Sequence, residues 1–221
     1  MTRGSVNVGG TGADSVSASF TTVDELDIGD AYMKQQSFMV LPLGGLLPGI
    51  DGIVGAELLS RFATQFDFDR RMMSLAPVPP ALWSKDAVVS QIGFAKNMPD
   101  SPAAIDSMPG RFTLDTGAVG SVDVNEPFAN ANHLYTRYAT GAKPGHVTGI
   151  GGTVQTARIT LANFSLGRLT VRSVPATLAY ASGGVTSDPT IAGNIGEIFF
   201  QRFALITFEY STRTLTIKTR R

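Results

Sequence analysis

The stretch GRFTLDTGAVGSV, residues 110–122, is the most informative part of this sequence. It begins as an alternating run, reaches Asp115-Thr116-Gly117 and continues into a glycine- and valine-containing segment. Alternation of apolar and polar residues is typical of a β-strand, because successive side chains point to opposite faces. Gly117 permits a sharp backbone turn directly after the strand. The stretch therefore predicts a strand that ends by presenting an aspartate at a tight turn.

The composition excludes several classes of protein. The chain has 221 residues, 18 basic and 18 acidic side chains and 43% hydrophobic residues, so its net charge gives no indication of a nucleic-acid partner. It contains no cysteine, which excludes disulfides, thiolate zinc sites and cysteine nucleophiles. The two histidines, His133 and His146, do not have the spacing of paired metal ligands. We therefore expect neither a metal nor a cofactor.

An internal repeat spans most of the chain. DGIVGAELLSRFATQFDFDRRMMSL (51–75) aligns with AGNIGEIFFQRFALITFEYSTRTLTI (192–217). Both segments show a glycine turn, a short helical window (55–62 and 196–203), a strand, a tight turn and a second strand. Such self-similarity indicates that the chain is built from related structural units.

The similarity extends upstream of these segments. Residues 6–30 resemble residues 147–167, because each begins with a glycine-rich tip that leads into a long alternating strand. We therefore predict two related lobes: a partial first lobe over residues 1–80 and a second lobe over residues 87–221. The proline-rich stretch 76–86 is expected to cross between them. The predicted fold class is all-β, mostly strands with two short helices.

The order and spacing of these motifs resemble the aspartic proteases, specifically the bacterial retropepsin-like and pepsin-like aspartyl proteases. The resemblance rests on Asp115-Thr116-Gly117-Ala118, on the tip Gly149-Ile150-Gly151-Gly152, and on Ile191-Ala192-Gly193. It implies a bilobal β-barrel fold with an incomplete first lobe. It also implies hydrolysis of peptide bonds in a polypeptide substrate, by a water molecule held between two aspartates.

The resemblance also implies roles for individual residues. Gly193 and Gly196 are interpreted as structural, since they would allow a tight loop beneath the catalytic strand. The tip 149–152 is expected to be a flap over the cleft. The implied site residues are the catalytic Asp115, Thr116 and Gly117 and the substrate-binding Ala118, Gly149, Ile150, Gly151 and Gly152. Thr116 is expected to support the site across the lobe interface.

The chain departs from the two-lobe pattern, because residues 1–86 contain no Asp-Thr-Gly or Asp-Ser-Gly. Lobe symmetry predicts a missing motif about 25 residues before Met1, and the chain alone is then expected to be inactive or nearly so. Alternatively, two copies of Asp115 meet in a homodimer, although lobe duplication argues against this. A third alternative is a non-catalytic peptide-binding module. The resemblance slightly favours an exported protein, periplasmic or secreted.

Overall fold

The computed structural model describes residues 3–42, 49–80, 87–180 and 183–220. Strands dominate these residues and the helices are short, so the predicted mostly-β fold class is confirmed. Residues 81–86 of the predicted crossing lie outside the described residues. None of the described helices combines the length and the apolar character needed to cross a membrane.

The secondary structure consists mainly of strands joined by tight turns. The strands of the first 91 residues are β1 (Arg3–Gly9), β2 (Ser15–Ile28), β3 (Ala31–Val40), β4 (Ala63–Asp67), β5 (Met72–Ala76) and β6 (Val88–Gln91). The later strands are β7 (Gly93–Ala95), β8 (Met98–Ile105), β9 (Met108–Leu114), β10 (Val122–Val124), β11 (Lys143–Gly149), β12 (Gly152–Leu166), β13 (Leu169–Ala179), β14 (Gly193–Ile195), β15 (Leu205–Glu209) and β16 (Thr214–Lys218).

Each described α-helix spans only one or two turns. The helices are α1 (Ala56–Leu59), α2 (Glu126–Ala131), α3 (Leu134–Arg137) and α4 (Glu197–Phe200). Helices α1 and α4 lie in the two windows that the sequence predicts. Helices α2 and α3 were not predicted, because segments of six and four residues are too short to show a clear helical period.

The strands form three sheets. Strands β1, β2 and β3 form an antiparallel sheet in that order. The largest sheet has the order β11-β12-β13-β10-β14-β9-β8-β7, and β12 also pairs with β8. The third sheet has the order β5-β4-β15-β16-β6, so strands from both copies of the repeat pair at its centre.

The two copies are related by an approximate twofold axis at the pair β4–β15. Gln65 lies opposite Thr207, and the flanking pairs are Ala63 with Glu209 and Asp67 with Leu205. Position 65 in the first copy therefore corresponds to position 207 in the second. At the centre of the pair, the buried Gln65 side chain donates a 2.9 Å hydrogen bond to the Thr207 hydroxyl.

The turns and helix starts repeat in the same way. The hairpins β4–β5 and β15–β16 turn through Arg71 and Arg213, whose φ angles are +55° and +56°. Helices α1 and α4 both begin after an extended glycine, Gly55 or Gly196. The two predicted copies thus adopt the same local structure, although their sequences share only scattered residues.

The hydrophobic core lies in the second copy. All the buried residues of its main cluster fall between Ile92 and Ile217. Phe164 is at its centre and makes edge-to-face contacts with Phe112 and Phe199, each with ring centroids 5.2 Å apart. Such pairs stabilise a core beyond the burial of their area alone. This core holds the central strands of the large sheet in place.

Candidate active site

Asp115 follows the last residue of β9, a central strand of the large sheet. Phe112 and Leu114 are buried in the core, so Thr113 and Asp115 project from the opposite face. The Asp115 backbone amide donates a 2.9 Å hydrogen bond to the carbonyl of Ile195 on β14. The aspartate is half-buried, and the strand that precedes it has hydrogen-bonded neighbours on both sides, β8 and β14.

The turn after β9 orients the Asp115 carboxylate. The Gly117 amide donates a 2.9 Å hydrogen bond to Asp115 Oδ1, and the Ala118 amide donates to the Asp115 carbonyl at 3.2 Å. The hydrogen bond from the Gly117 amide restricts the rotation of the carboxylate. Within the described residues the Thr116 hydroxyl makes no hydrogen bond, so the interlobe support predicted for it remains a prediction.

The loop after Asp115 rests directly on the start of α4. The Glu197 amide donates to the Ala118 carbonyl at 2.8 Å, and the Ile198 amide donates to the Gly120 carbonyl at 3.1 Å. A Cβ atom at Gly196 would overlap both of these carbonyl oxygens. The close approach of the two backbones thus explains the glycine at this position and agrees with the structural role predicted for it.

The predicted flap, residues 149–152, forms the tip of the hairpin β11–β12. Gly149 pairs with Gly152, and Gly151 and Gly152 have φ angles of +85° and +112°. These angles favour glycine because a side chain would meet the backbone. The tip thus adopts the tight hairpin that the sequence predicts, while its contact with substrate remains a prediction.

The glycine-rich tips of the two copies touch each other. The Gly12 amide donates to the Ile150 carbonyl at 3.3 Å, and the Asp14 amide donates to the Gly151 carbonyl at 3.1 Å. A Cβ atom at Gly12 would overlap the Gly151 backbone. The sequence predicts each tip but not their contact, because glycine content alone does not specify which segments approach each other.

A third segment joins the two tips. The Val185 amide donates a 2.8 Å hydrogen bond to the Gly10 carbonyl, and a Cβ atom at Gly184 would overlap the same oxygen. Val185 lies in a short 3₁₀ helix, Gly184–Ser187, between β13 and β14. The first-copy tip is therefore held by two separate parts of the second copy.

A row of polar side chains crosses the face of the sheet from which Asp115 projects. The register places Thr113 beside Asn194, Asn194 beside Asp123 and Asp123 beside Thr177. The Thr113 hydroxyl donates to Asn194 Oδ1 at 2.7 Å, and the Thr177 hydroxyl donates to Asp123 Oδ1 at 2.6 Å. Thr113, the member of the row on β9, lies two residues before Asp115 in the sequence.

Sequence reasoning missed this row, and Asp123 is its most unusual member. Burial raises the pKa of the Asp123 carboxyl above its ordinary value; the hydrogen bond from Thr177 opposes this shift, and the negative charge of Asp115 adds to it. The signal was present in SVDVN, where one acidic residue lies between Val122 and Val124 of a short strand.

Asp123 is not placed to be the second carboxylate of a pair with Asp115. Strand β14 lies between β10 and β9, so the backbones of the two aspartates are on the order of 10 Å apart. Two carboxyl groups that share one proton are about 3 Å apart. The two aspartates are therefore neighbours that influence each other electrostatically without contact.

Part of the chain is similar to known proteins. Residues 101–197 match the model of a family described as "Aspartyl protease". Among solved structures, the chain is similar to a retropepsin-like aspartic protease from Rickettsia conorii, with 16% sequence identity and a TM-score of 0.44. That likeness covers 60% of this chain and 90% of the other. The curated proteins contain no match to the sequence.

Proposed function

We propose that this chain, whose residues 101–197 belong to the aspartyl protease family, supplies Asp115 as one of the two aspartates of an aspartic endopeptidase. The match of residues 101–197 to the family model confirms the family that the sequence predicts for this part of the chain. The observation that carries the proposal is the placement of Asp115 at the end of a central strand, with its carboxylate oriented by the Gly117 amide. The substrate is a polypeptide.

The proposed chemistry is that known for aspartic proteases in general, in which two carboxyl groups share one proton. The ionised carboxylate takes a proton from a water molecule as the water oxygen attacks the peptide carbonyl carbon. The protonated carboxyl group donates a hydrogen bond to the carbonyl oxygen and stabilises the tetrahedral intermediate. Collapse of this intermediate breaks the C–N bond as the nitrogen accepts a proton. Asp115 can perform only one of these two roles.

We place the second aspartate on strands that precede Met1 and complete the first copy. The sheet β1–β3 supports this, because its apolar face is only partly covered within the described residues: Val6, Phe20 and Met39 are 40%, 39% and 44% exposed. In the second copy, the corresponding strand β12 lies in the same sheet as β8, β9, β10 and β14. This sheet curls round so that β12 also pairs with β8, and the apolar side chains of β12 pack in one cluster with those of β9, β10 and β14. A β-sheet with one apolar face is stable only when that face is packed against another layer.

The edge strand β5 gives a second, independent indication. Its counterpart β16 pairs with β6, where Ile217 lies opposite Val88. Within the described residues β5 has a neighbour on one side only, and Met72 and Met73 on it are 57% and 42% exposed. An open strand edge can add another strand. By the approximate twofold relation, this strand would come from upstream of Met1.

The test is the endopeptidase activity of the protein translated from its complete natural reading frame. We expect cleavage of an unfolded protein such as reduced casein, and a loss on the order of 10³-fold or more in Asp115→Asn. Asp69→Asn is the matched control, because Asp69 is exposed and paired with Arg220 on another surface. Activity that survives Asp115→Asn would overturn the proposal.

The same preparations separate the remaining alternatives. A reading frame without a second Asp-Thr-Gly or Asp-Ser-Gly, together with an active dimer in solution, would assign the second carboxylate to another copy of Asp115. Binding of a hydroxyl-containing transition-state peptide that is indifferent to Asp115→Ala would instead indicate a catalytically silent peptide-binding module.

A further inference from the structure

Unlike three other aspartates whose side chains are largely buried, the half-buried Asp123 has no cationic partner in the described part of the chain. The carboxylate of Asp100 accepts from Arg111 at 2.9 Å. In the same way, Asp106 lies 3.2 Å from the Arg137 guanidinium, and Asp188 lies 2.7 Å from the Lys96 amine. A partly buried carboxylate without a cation is costly, because the single hydrogen bond from Thr177 replaces only part of the hydration that burial removes.

The nearest basic residue along the sheet is directed away from Asp123. Arg158 on β12 lies opposite Thr177, the hydrogen-bond donor to Asp123. Its guanidinium donates to the Pro144 carbonyl at 3.1 Å, and its side chain packs over Gly145 on β11. Asp115, which projects from the same face of the sheet, is also acidic and so is not a cationic partner.

Asp123 is nevertheless reachable from the side of Asp115. It is half-buried rather than enclosed, and it projects from the same face of the sheet as Thr113 and Asp115. Its backbone lies on the order of 10 Å from that of the predicted catalytic aspartate. An extended polypeptide bound at Asp115 has side chains at intervals of about 3.4 Å, so a long side chain close to the scissile bond can reach Asp123.

We propose that Asp123 is a specificity-determining residue that selects a lysine or arginine side chain of the polypeptide close to the scissile bond. This inference rests on the proposed function of Asp115. The cation of the substrate supplies the partner that the described part of the chain does not provide. Asn194 and Thr113 lie between Asp123 and the side of the sheet that carries Asp115. A neutral apolar side chain at the same position leaves the carboxylate buried and unpaired.

The experiment measures the binding of non-cleavable peptides to the full-length protein. Each peptide carries a hydroxyethylene group in place of the scissile bond, and lysine or norleucine at one of the four flanking positions. Norleucine has a side chain of similar length and apolar character without the amine, so the ratio of the two affinities isolates the charge. The variants are Asp123→Asn, Asp115→Asn and the surface control Asp69→Asn.

We expect the wild type to prefer lysine to norleucine at one position by on the order of tenfold or more, as for a partly buried charge pair. Asp123→Asn should bring that ratio close to one, while Asp69→Asn leaves it unchanged. Asp115→Asn should weaken the binding of both peptides alike and preserve the ratio. A loss of fold would lower both affinities together, so it cannot imitate the change in ratio.

Two results would overturn the inference in different ways. If the peptides bind in an Asp115-dependent manner without a preference for lysine, or if the preference survives in Asp123→Asn, then Asp123 does not select the substrate while the protease proposal stands. If no peptide binds in an Asp115-dependent manner, the protease proposal fails and the inference about Asp123 fails with it.

Discussion

Strands β2 and β12 occupy equivalent places in the two copies but differ sharply in burial. Both are long, alternating strands that end at a glycine turn, Gly29 or Gly167, with the same φ of +59°. Along β12 nearly every second side chain is buried, whereas in β2 only Ala18 is buried. The same sequence pattern has thus produced a covered face in one copy and a partly exposed face in the other.

Alternation specifies which side chains share a face, not whether that face is covered. Strand β12 extends across to β8, where Phe164 lies opposite Ile105, and its apolar side chains pack against β9, β10 and β14. Among the described residues the first copy has no strands equivalent to these. The cover is a property of the neighbouring layer, and it accounts for several kilocalories per mole of stability.

The largest change in stability is expected at the ends of these strands, where two equivalent residues can be compared. Leu166 is fully buried, and Ile28 at the matching position is half-buried. Leu166→Ala should lower the free energy of unfolding by about 2–5 kcal/mol, because it removes buried methyl groups and leaves a cavity. Ile28→Ala should cost only about 1 kcal/mol in this chain. Urea unfolding of both variants measures the two values.

The same two variants can also be measured in a longer protein that includes residues upstream of Met1. If strands upstream of Met1 cover the first copy, the cost of Ile28→Ala should rise toward that of Leu166→Ala when those strands are present. Equal costs in the 221-residue chain would contradict the difference in burial between the two copies.

The second prediction concerns the axis that relates the copies. Gln65→Leu should destabilise the chain by about 1–3 kcal/mol, because it leaves the buried Thr207 hydroxyl without its partner. Thr207→Val should recover part of that loss when the two changes are combined. A double-mutant cycle from chemical denaturation measures the coupling. Additive costs would show that the hydrogen bond does not link the copies.

The third prediction addresses the contact between the two glycine-rich tips. Gly12→Ala should cost on the order of 1–2 kcal/mol and lower the hydrogen-exchange protection of the Asp14 amide, because the new Cβ overlaps the Gly151 backbone. Gly9→Ala is the control, since a Cβ at Gly9 has no neighbour within 4 Å. Unchanged protection in Gly12→Ala would mean that the tips separate freely.

The smallest change in stability is expected for the ion pair between Lys96 and Asp188, which lies next to the 3₁₀ helix that contacts Gly10. The hydrogen bond from Lys96, with further hydrogen bonds from Thr190, lowers the pKa of the Asp188 carboxyl to about 2. Its lowered pKa contributes stability above about pH 4, and this stability is lost as the pH falls toward 2. Lys96→Met should therefore cost less than about 1 kcal/mol at pH 7, because the lysine is largely exposed.

The pH dependence distinguishes this ion pair from a packing effect. The difference in unfolding free energy between wild type and Lys96→Met should shrink between pH 7 and pH 2, as Asp188 takes up a proton. A difference that stays constant over that range would show that the Lys96 side chain acts through its hydrocarbon stem instead.

The sequence alone determined the mostly-β class, the internal repeat, the windows of α1 and α4 and the turn at Gly117. These features are local: alternation, glycine positions and short helical periods act through neighbouring residues. Asp115 could be singled out in the same way, because the strand and the turn that present it are contiguous in the chain. Its catalytic role, and the role of the tip at Gly149–Gly152, remain proposals.

Only the tertiary structure decided which segments meet. The sequence did not predict that Gly12 approaches Gly151, that Gln65 bonds Thr207, or that Asp123 lies in a polar row beside Asp115. Each of these contacts joins residues that are distant in the sequence or on different strands. Within a sheet the register sets the contact, not the composition of either strand. The physical reason is that burial and charge depend on the surrounding layer, so an aspartate between two valines acquires its significance only once its neighbours are known.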